Sequence, residues 1–217
     1  MHAYLERPNH IVIGSVRDSA SPSYDDLKKS PAAEGSRLIL VTLDASNLDD
    51  PAKAIKAAED AGIDHIDVVL ASAGVSPAPA PLQSADLKEV ADTLNINTLS
   101  IAALYQASKV LLDKSTRPVF VSLSSAAGSI ANLPQYHAHW LLGYGMSKAA
   151  LDWLTRAIHA AHPNWIAYAV HPGLVQTELG NGGARAQGLE KAPVTVEDSC
   201  NKIIASVSSV FYMEYKV

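Results

Sequence analysis

Short runs of β-branched and aliphatic residues alternate along this chain with longer stretches of helical periodicity, and this alternation constrains the fold more than any other feature. Ile11 to Val16, Leu38 to Leu43, Asp67 to Ala71, Val119 to Leu123 and Ile166 to Val170 have the length and composition of strands. Val119 to Leu123 is apolar except at Ser122, as a strand buried on both faces of a parallel sheet should be. Between these runs the spacing predicts helices over Asp49 to Ala61, with Pro51 in the first turn and Gly62 just past the end, and over Ser84 to Asn95. Further helices are predicted over Asn97 to Lys114, Tyr144 to Ala161 and near Glu197 to Val207. Asp18 to Gly35 reads as a loop holding a short helix, and the glycine-rich segment after Val170 as a loop. Strand–helix alternation of this kind implies an α/β fold, a doubly wound parallel sheet with helices on both faces. At 217 residues, positions 1–217 make one domain rather than two.

Composition then removes several functions. A hydrophobic fraction of 48% with 18% charged residues belongs to a packed globule. Seventeen Lys plus Arg against 22 Asp plus Glu gives a net charge of −5, without the basic excess that binds phosphate backbones, so nucleic acid is not an expected partner. Cys200 has no second cysteine to pair with, which points to a reducing, cytoplasmic setting. No apolar run approaches the roughly 18 residues of a membrane span, and Met1 to His10 lacks the apolar core of a signal peptide.

The most informative local pattern is Tyr144-Gly145-Met146-Ser147-Lys148, because residues four apart share one helix face. An ammonium beside a phenol favours the phenolate and moves its pKa down from about 10, towards the range useful in acid–base catalysis. Tyr and Lys at this spacing also describe an ordinary solvated face, so the pattern gains meaning only in company. Ser124-Ser125-Ala126-Ala127-Gly128 follows the strand Val119 to Leu123 directly, at the carboxyl end where parallel sheets place ligands. Asn97 stands at the start of a predicted helix, where capping is the simplest role for it.

Strand-Ser-Ser-x-x-Gly, Tyr-x-x-x-Lys and strand-Pro-Gly with a following Thr, in that order, resemble the short-chain dehydrogenase/reductase family. The resemblance implies a catalytic set of Asn97, Ser125, Tyr144 and Lys148. Asn97 falls in Asn97-Thr98-Leu99-Ser100, where Ser100 replaces the family glycine, and would relay protons through water. Ser125 would bind the substrate carbonyl, Tyr144 would donate the proton, and Lys148 would lower the Tyr144 pKa and hold the nicotinamide ribose. Nineteen residues separate Ser125 from Tyr144, more than is usual in the family. An insertion within Ile130 to Leu142, carrying Tyr136, His137, His139 and Trp140, is therefore expected to shape the substrate mouth. His137 and His139 lack a third ligand, so no metal is expected.

For the cofactor, Pro172, Gly173, Val175 and Thr177 match the Pro-Gly-x-x-x-Thr segment that holds the nicotinamide carboxamide. Asp44 resembles the acidic residue near the adenine, and Ala73 and Gly74 stand where the family has Asn-Asn-Ala-Gly, with Ser72 in place of the second asparagine. Arg17 resembles the arginine that accepts the 2′-phosphate of NADP(H). The implied activity is NADP-dependent reduction of a carbonyl, with the reverse alcohol oxidation, by a homodimer or homotetramer formed through the helices Asn97 to Lys114 and Tyr144 to Ala161. Ser-Val-Arg-Asp and Val-His-Pro-Gly-x-Val-Gln-Thr are most similar to fungal ketoreductases of the norsolorinic acid type, which suggests an aromatic or polyketide ketone.

One family element is missing. No Thr-Gly-x-x-x-Gly-x-Gly turn occurs in the chain, Met1 to Asn9 resembles the tail of the helix that should follow it, and Ile11 to Val16 matches the family's second strand. The first strand, central between those beginning at Ile11 and Asp67, is therefore expected to be absent, leaving backbone groups unpaired. Ser208 to Val217 does not resemble the usual final strand, so both ends are expected to be shortened. These departures favour an alternative of another class: a cofactor-less relative that binds a partner or runs non-redox chemistry.

Overall fold

The computed structural model describes residues 1–212, and the last five positions of the atypical C-terminal stretch lie outside the described residues. The described residues form five strands: β1 (Ile11–Val16), β2 (Arg37–Thr42), β3 (Val68–Ala71), β4 (Val119–Leu123) and β5 (Ile166–Val170). The helices are α1 (His2–Leu5), α2 (Pro22–Lys28), α3 (Asp50–Asp60), α4 (Leu87–Leu94), α5 (Ser100–Leu112), α6 (Leu142–Ala161), α7 (Glu178–Ala186) and α8 (Val196–Tyr212). All strand pairs are parallel, so the α/β fold class is as expected.

The sheet is in two pieces. β1 pairs only with β2, placing Val12 opposite Leu38, while β3, β4 and β5 form a second sheet with Val121 opposite both Leu70 and Tyr168. Among the described residues no strand joins β1 to β3. Side chains that a central strand position would cover stay open, with Ile11 52% and Leu70 39% exposed. A shared core nevertheless holds the pieces together: Ile13 of β1 and Ile39 of β2 pack against the cluster containing Val69, Ala71 and Phe120.

β4 shows why a wholly apolar strand is needed at the centre. Side chains alternate across a strand. Phe120 points into the core made with Leu111, Leu112, Leu151 and Trp165, whereas Val119 and Val121 face the opposite layer with Val207 of α8. α6 is fixed across this strand by a buried pair, Thr155 donating to Ser122 at 2.8 Å.

The helices differ from the sequence reading in several places: α6 begins at Leu142 rather than Tyr144, and α8 runs to Tyr212 rather than Val207. α4 starts at Leu87 because Asp86, rather than Ser84, accepts from the Lys88 N–H at 2.8 Å. Asn97 begins no helix: α4 runs into α5 through a π-helical turn, Asn95–Leu99, so its side chain is not a cap. The glycine-rich segment after β5 contains α7, whose start is capped by Thr177 accepting from the Gly180 N–H at 3.0 Å. An added Cβ on Gly180 would collide with the Val175 carbonyl, so here glycine allows a close approach that repays its low helix propensity.

Candidate active site

The strands deliver their carboxyl ends to one side, and there β4 leads into Ser124, Ser125 and a single turn, Ala126–Gly128. Ser125 is extended, and its hydroxyl accepts from the Ala127 N–H at 3.2 Å. The turn rests directly on α6. A Cβ on Gly128 would lie 2.8 Å from the Lys148 carbonyl carbon and 2.9 Å from the Ala149 nitrogen, so no side chain fits there. This contact brings Tyr144, in the first turns of α6, close enough for the Ser125 side chain to hydrogen-bond its phenol.

Lys148 is 4% exposed, donates to the Leu123 carbonyl at 2.7 Å, and holds Nζ 5.7 Å from the centroid of the Tyr144 ring. Burial lowers its pKa to about 8, against a smaller raising effect of Asp152. Burial also raises the Tyr144 phenol above its ordinary value, with Ser125 acting the other way. The sequence led us to expect Lys148 to lower the Tyr144 pKa, and the structure shows the opposite direction. The cause is desolvation, since the enclosed site penalises a phenolate, while the lysine ammonium is engaged by the Leu123 carbonyl.

Asn97, fully buried, ties three segments together. Its Nδ2 donates to the Val75 carbonyl at 2.8 Å and to Ser147 Oγ at 2.9 Å, and its Oδ1 accepts from the Val75 N–H at 2.8 Å. Ser147 in turn donates to the Tyr144 carbonyl at 2.8 Å, so Asn97 links the end of β3 to the helix turn bearing Tyr144. Both amide hydrogens are committed to this structural link. Asn95 lies elsewhere, donating to the Ser46 carbonyl at 3.0 Å.

Beside Tyr144, the segment 76–86, α4 and the start of α6 border a shallow, open cleft lined by Pro77, Ala80, Val90, Trp140, Leu142 and Tyr144. Ala80 donates to the Trp140 carbonyl at 2.9 Å and fixes the inserted segment as one wall. Tyr136 is exposed outside this lining, the His137 and His139 ring centroids are 6.2 Å apart, and no metal-binding group of three exists among the described residues.

Residues 7–200 match the family model described as enoyl-(acyl carrier protein) reductase. The short-chain dehydrogenase srdF of Neurospora crassa is 44% identical over 210 residues, covering 95% of this chain and 83% of that protein. The chain belongs to the short-chain dehydrogenase/reductase family. Within that family it is 35% identical to norsolorinic acid ketoreductase nor1 of Dothistroma septosporum, over 94% of this chain and 77% of the relative. The NADPH-bound carbonyl reductase from chicken fatty liver superposes with a TM-score of 0.69 at 25% identity, covering 78% of this chain and 70% of that one.

Membership in the short-chain dehydrogenase/reductase family implies a nicotinamide dinucleotide, and the residues present can be tested against one. The nicotinamide end suits it. Gly74 runs so close to Lys148 that an added Cβ would lie 3.4 Å from both Nζ and Asn97 Oδ1, with Ala73 just before it. Pro172 and Gly173 form a turn with Gly173 at φ +87°. Val175 bridges Val194 and accepts from the Thr177 N–H at 2.7 Å, while the Thr177 hydroxyl serves as the α7 cap. At the other end, exposed Arg17 is near enough to the Asp44 carboxylate to help hold it in its charged form, behind the larger effect of Ser46. Between these ends the chain supplies no glycine-rich turn for a pyrophosphate. Sequence reading missed Ser147, Thr98, whose hydroxyl donates to the Ser147 carbonyl at 2.8 Å, and His171, whose Nδ1 lies 3.3 Å from the Ala126 nitrogen, as site builders. Ser147 lies inside the Tyr-x-x-x-Lys pattern, but nothing in the sequence shows which way it faces.

Proposed function

We propose that this chain catalyses the NADPH-dependent reduction of a ketone to an alcohol, with aromatic or polyketide ketones as the substrate class. A bound nicotinamide supplies the hydride that adds to the carbonyl carbon. Ser125 and Tyr144 hold the carbonyl oxygen, and Tyr144 gives its phenolic proton to that oxygen as the C=O double bond becomes C–O. Lys148, titrating near pH 8, can exchange a proton at Nζ while keeping its carbonyl partner. The observation that carries this reading is Tyr144 itself: burial keeps the phenol protonated, as a proton donor in reduction must be, and its ring opens on the cleft lined by Trp140. The ketoreductase relative, the NADPH bound by the chicken enzyme and the exposed Arg17 support the substrate and cofactor choice.

A homodimer or homotetramer in the cytoplasm belongs to the same reading. Exposed apolar side chains on α5 and α6, Val110 and Trp153 among them, support the assembly, and the lone Cys200 supports the compartment. No described helix is long and apolar enough to cross a membrane. The alternative, a cofactor-less relative serving as a binding partner or a non-redox enzyme, is favoured by one observation, the open sheet between β1 and β3. Titration with NADPH and NADH, followed by nicotinamide fluorescence, separates the two. Binding of NADPH that weakens in Arg17→Ala, with ketone turnover lost in Tyr144→Phe, supports the reductase. A folded chain that binds neither nucleotide supports the alternative.

A further inference from the structure

The residues on either side of Ser125 are both tied to the end of β5. Ser124 donates its N–H to the Val170 carbonyl at 2.8 Å, and the next residue along, His171, has Nδ1 3.3 Å from the Ala126 nitrogen. A backbone N–H can only donate, so Nδ1 must carry a lone pair and the proton of the neutral ring must sit on Nε2. We propose that His171 is a positioning residue for Ser125, holding the turn in place only while its imidazole is neutral. Protonation sets an N–H against an N–H, removes the acceptor, and releases the turn that aims the Ser125 hydroxyl.

His171 is exposed, so water and protons reach its ring directly, beside an open hollow shared with Pro172, Ser199 and Lys202. Among the described residues, the charged group that lines the same hollow is Lys202 of α8. Partial burial moves the His171 pKa below its ordinary value, and no carboxylate opposes that shift. The other tie of the Pro-Gly segment, Ser199 donating to the Pro172 carbonyl at 2.8 Å, does not titrate, so the change is confined to the Ser125 turn.

The kinetic readout rests on the proposed carbonyl reduction, and the structural readout does not. In the first arm, amide and imidazole NMR signals of the full chain without substrate are followed with pH. The Ala126 amide should titrate with the His171 midpoint in the wild type and stay flat in His171→Asn, whose amide oxygen can replace Nδ1 as a permanent acceptor. In the second arm, kcat/KM should fall tenfold per pH unit below that midpoint. His171→Asn should lose this acid limb, and His171→Ala should show a lowered kcat at every pH with KM less affected. An Ala126 amide indifferent to His171, or an acid limb surviving in His171→Asn, overturns the proposal. If the amide follows the ring but the wild-type chain turns over no ketone at any pH, the carbonyl-reduction reading fails and the positioning of the turn stands.

Discussion

Replacing Asn97 by alanine should weaken the fold substantially, whatever it does to turnover. The substitution removes three hydrogen bonds of 2.8, 2.8 and 2.9 Å from a side chain with no exposed surface. Ser147 keeps its bond to the Tyr144 carbonyl, but the Val75 N–H and carbonyl both lose their partner. At about 1 kcal/mol net for each bond, the loss is about 3 kcal/mol. In a domain of this size each kcal/mol moves Tm by about 2–4 °C, so the midpoint should fall by about 6–12 °C. Circular dichroism melts and urea titrations of wild type and variant measure it. Asn97→Asp provides the sharper contrast. It keeps the acceptor for the Val75 N–H but turns a carboxylate towards the Val75 carbonyl, so at neutral pH it should be less stable than Asn97→Ala. Burial raises the pKa of such a carboxylate, and stability should recover as pH falls and the group protonates. A Tm change below about 3 °C in Asn97→Ala would refute the structural role and leave only the water-relay role that the family resemblance implies.

Lys148 has a folded pKa of about 8, below its ordinary 10.5, so the burial penalty on the ammonium is complete below pH 8 and fades as pH rises to about 10.5. Wild-type stability should therefore gain up to about 3 kcal/mol across that window relative to Lys148→Met; urea titrations giving parallel pH profiles for the two proteins would show the lysine to be unperturbed. Gly128→Ala should cost about 1–3 kcal/mol by overpacking, because its Cβ meets the α6 backbone at 2.8 Å, and should raise the KM for a ketone as Ser125 shifts. Tyr144→Phe should lower kcat by about 10²–10⁴-fold while leaving Tm within a few degrees, since the proton donor is lost and the packed ring retained. Phe120→Ala, deep in the core, should cost about 3–5 kcal/mol in chemical denaturation.

What the sequence disclosed, and what it concealed, follows from how local each signal is. β4 and α6 are legible because an unbroken apolar run and a regular apolar spacing are properties of neighbouring residues. The link between Asn97 and Ser147 spans 50 positions, and the π-helical turn around Asn97 contains no glycine or proline to mark it, so a capping residue was the natural expectation. α7 was hidden for the opposite reason. Gly180, Gly182 and Gly183 weaken helix propensity locally, and the compensating contacts, the Thr177 cap and the approach to Val175, appear only in three dimensions. The divided sheet was foreseeable because the place of the missing strand could be deduced from the strands on either side.

The pKa directions in the site lay furthest from the sequence, yet they bear most directly on direction of reaction. Spacing alone puts a cation four residues from a phenol and suggests a stabilised phenolate, which would suit proton abstraction from an alcohol. The folded site reverses that inference because one cause acts on both groups: desolvation disfavours charge on each. It raises Tyr144 and lowers Lys148, and the two shifts favour a neutral phenol beside a lysine able to lose its proton near pH 8. A neutral phenol is poised to give its proton to a carbonyl oxygen gaining negative charge, and Ser125 supplies the second hydrogen bond that such an oxygen requires. Reduction therefore needs no prior ionisation of Tyr144, whereas oxidation must first form a phenolate in a site that resists it. The ratio of the forward to the reverse kcat should consequently fall as pH rises, and a ratio independent of pH would show that burial of Tyr144 does not set the preference.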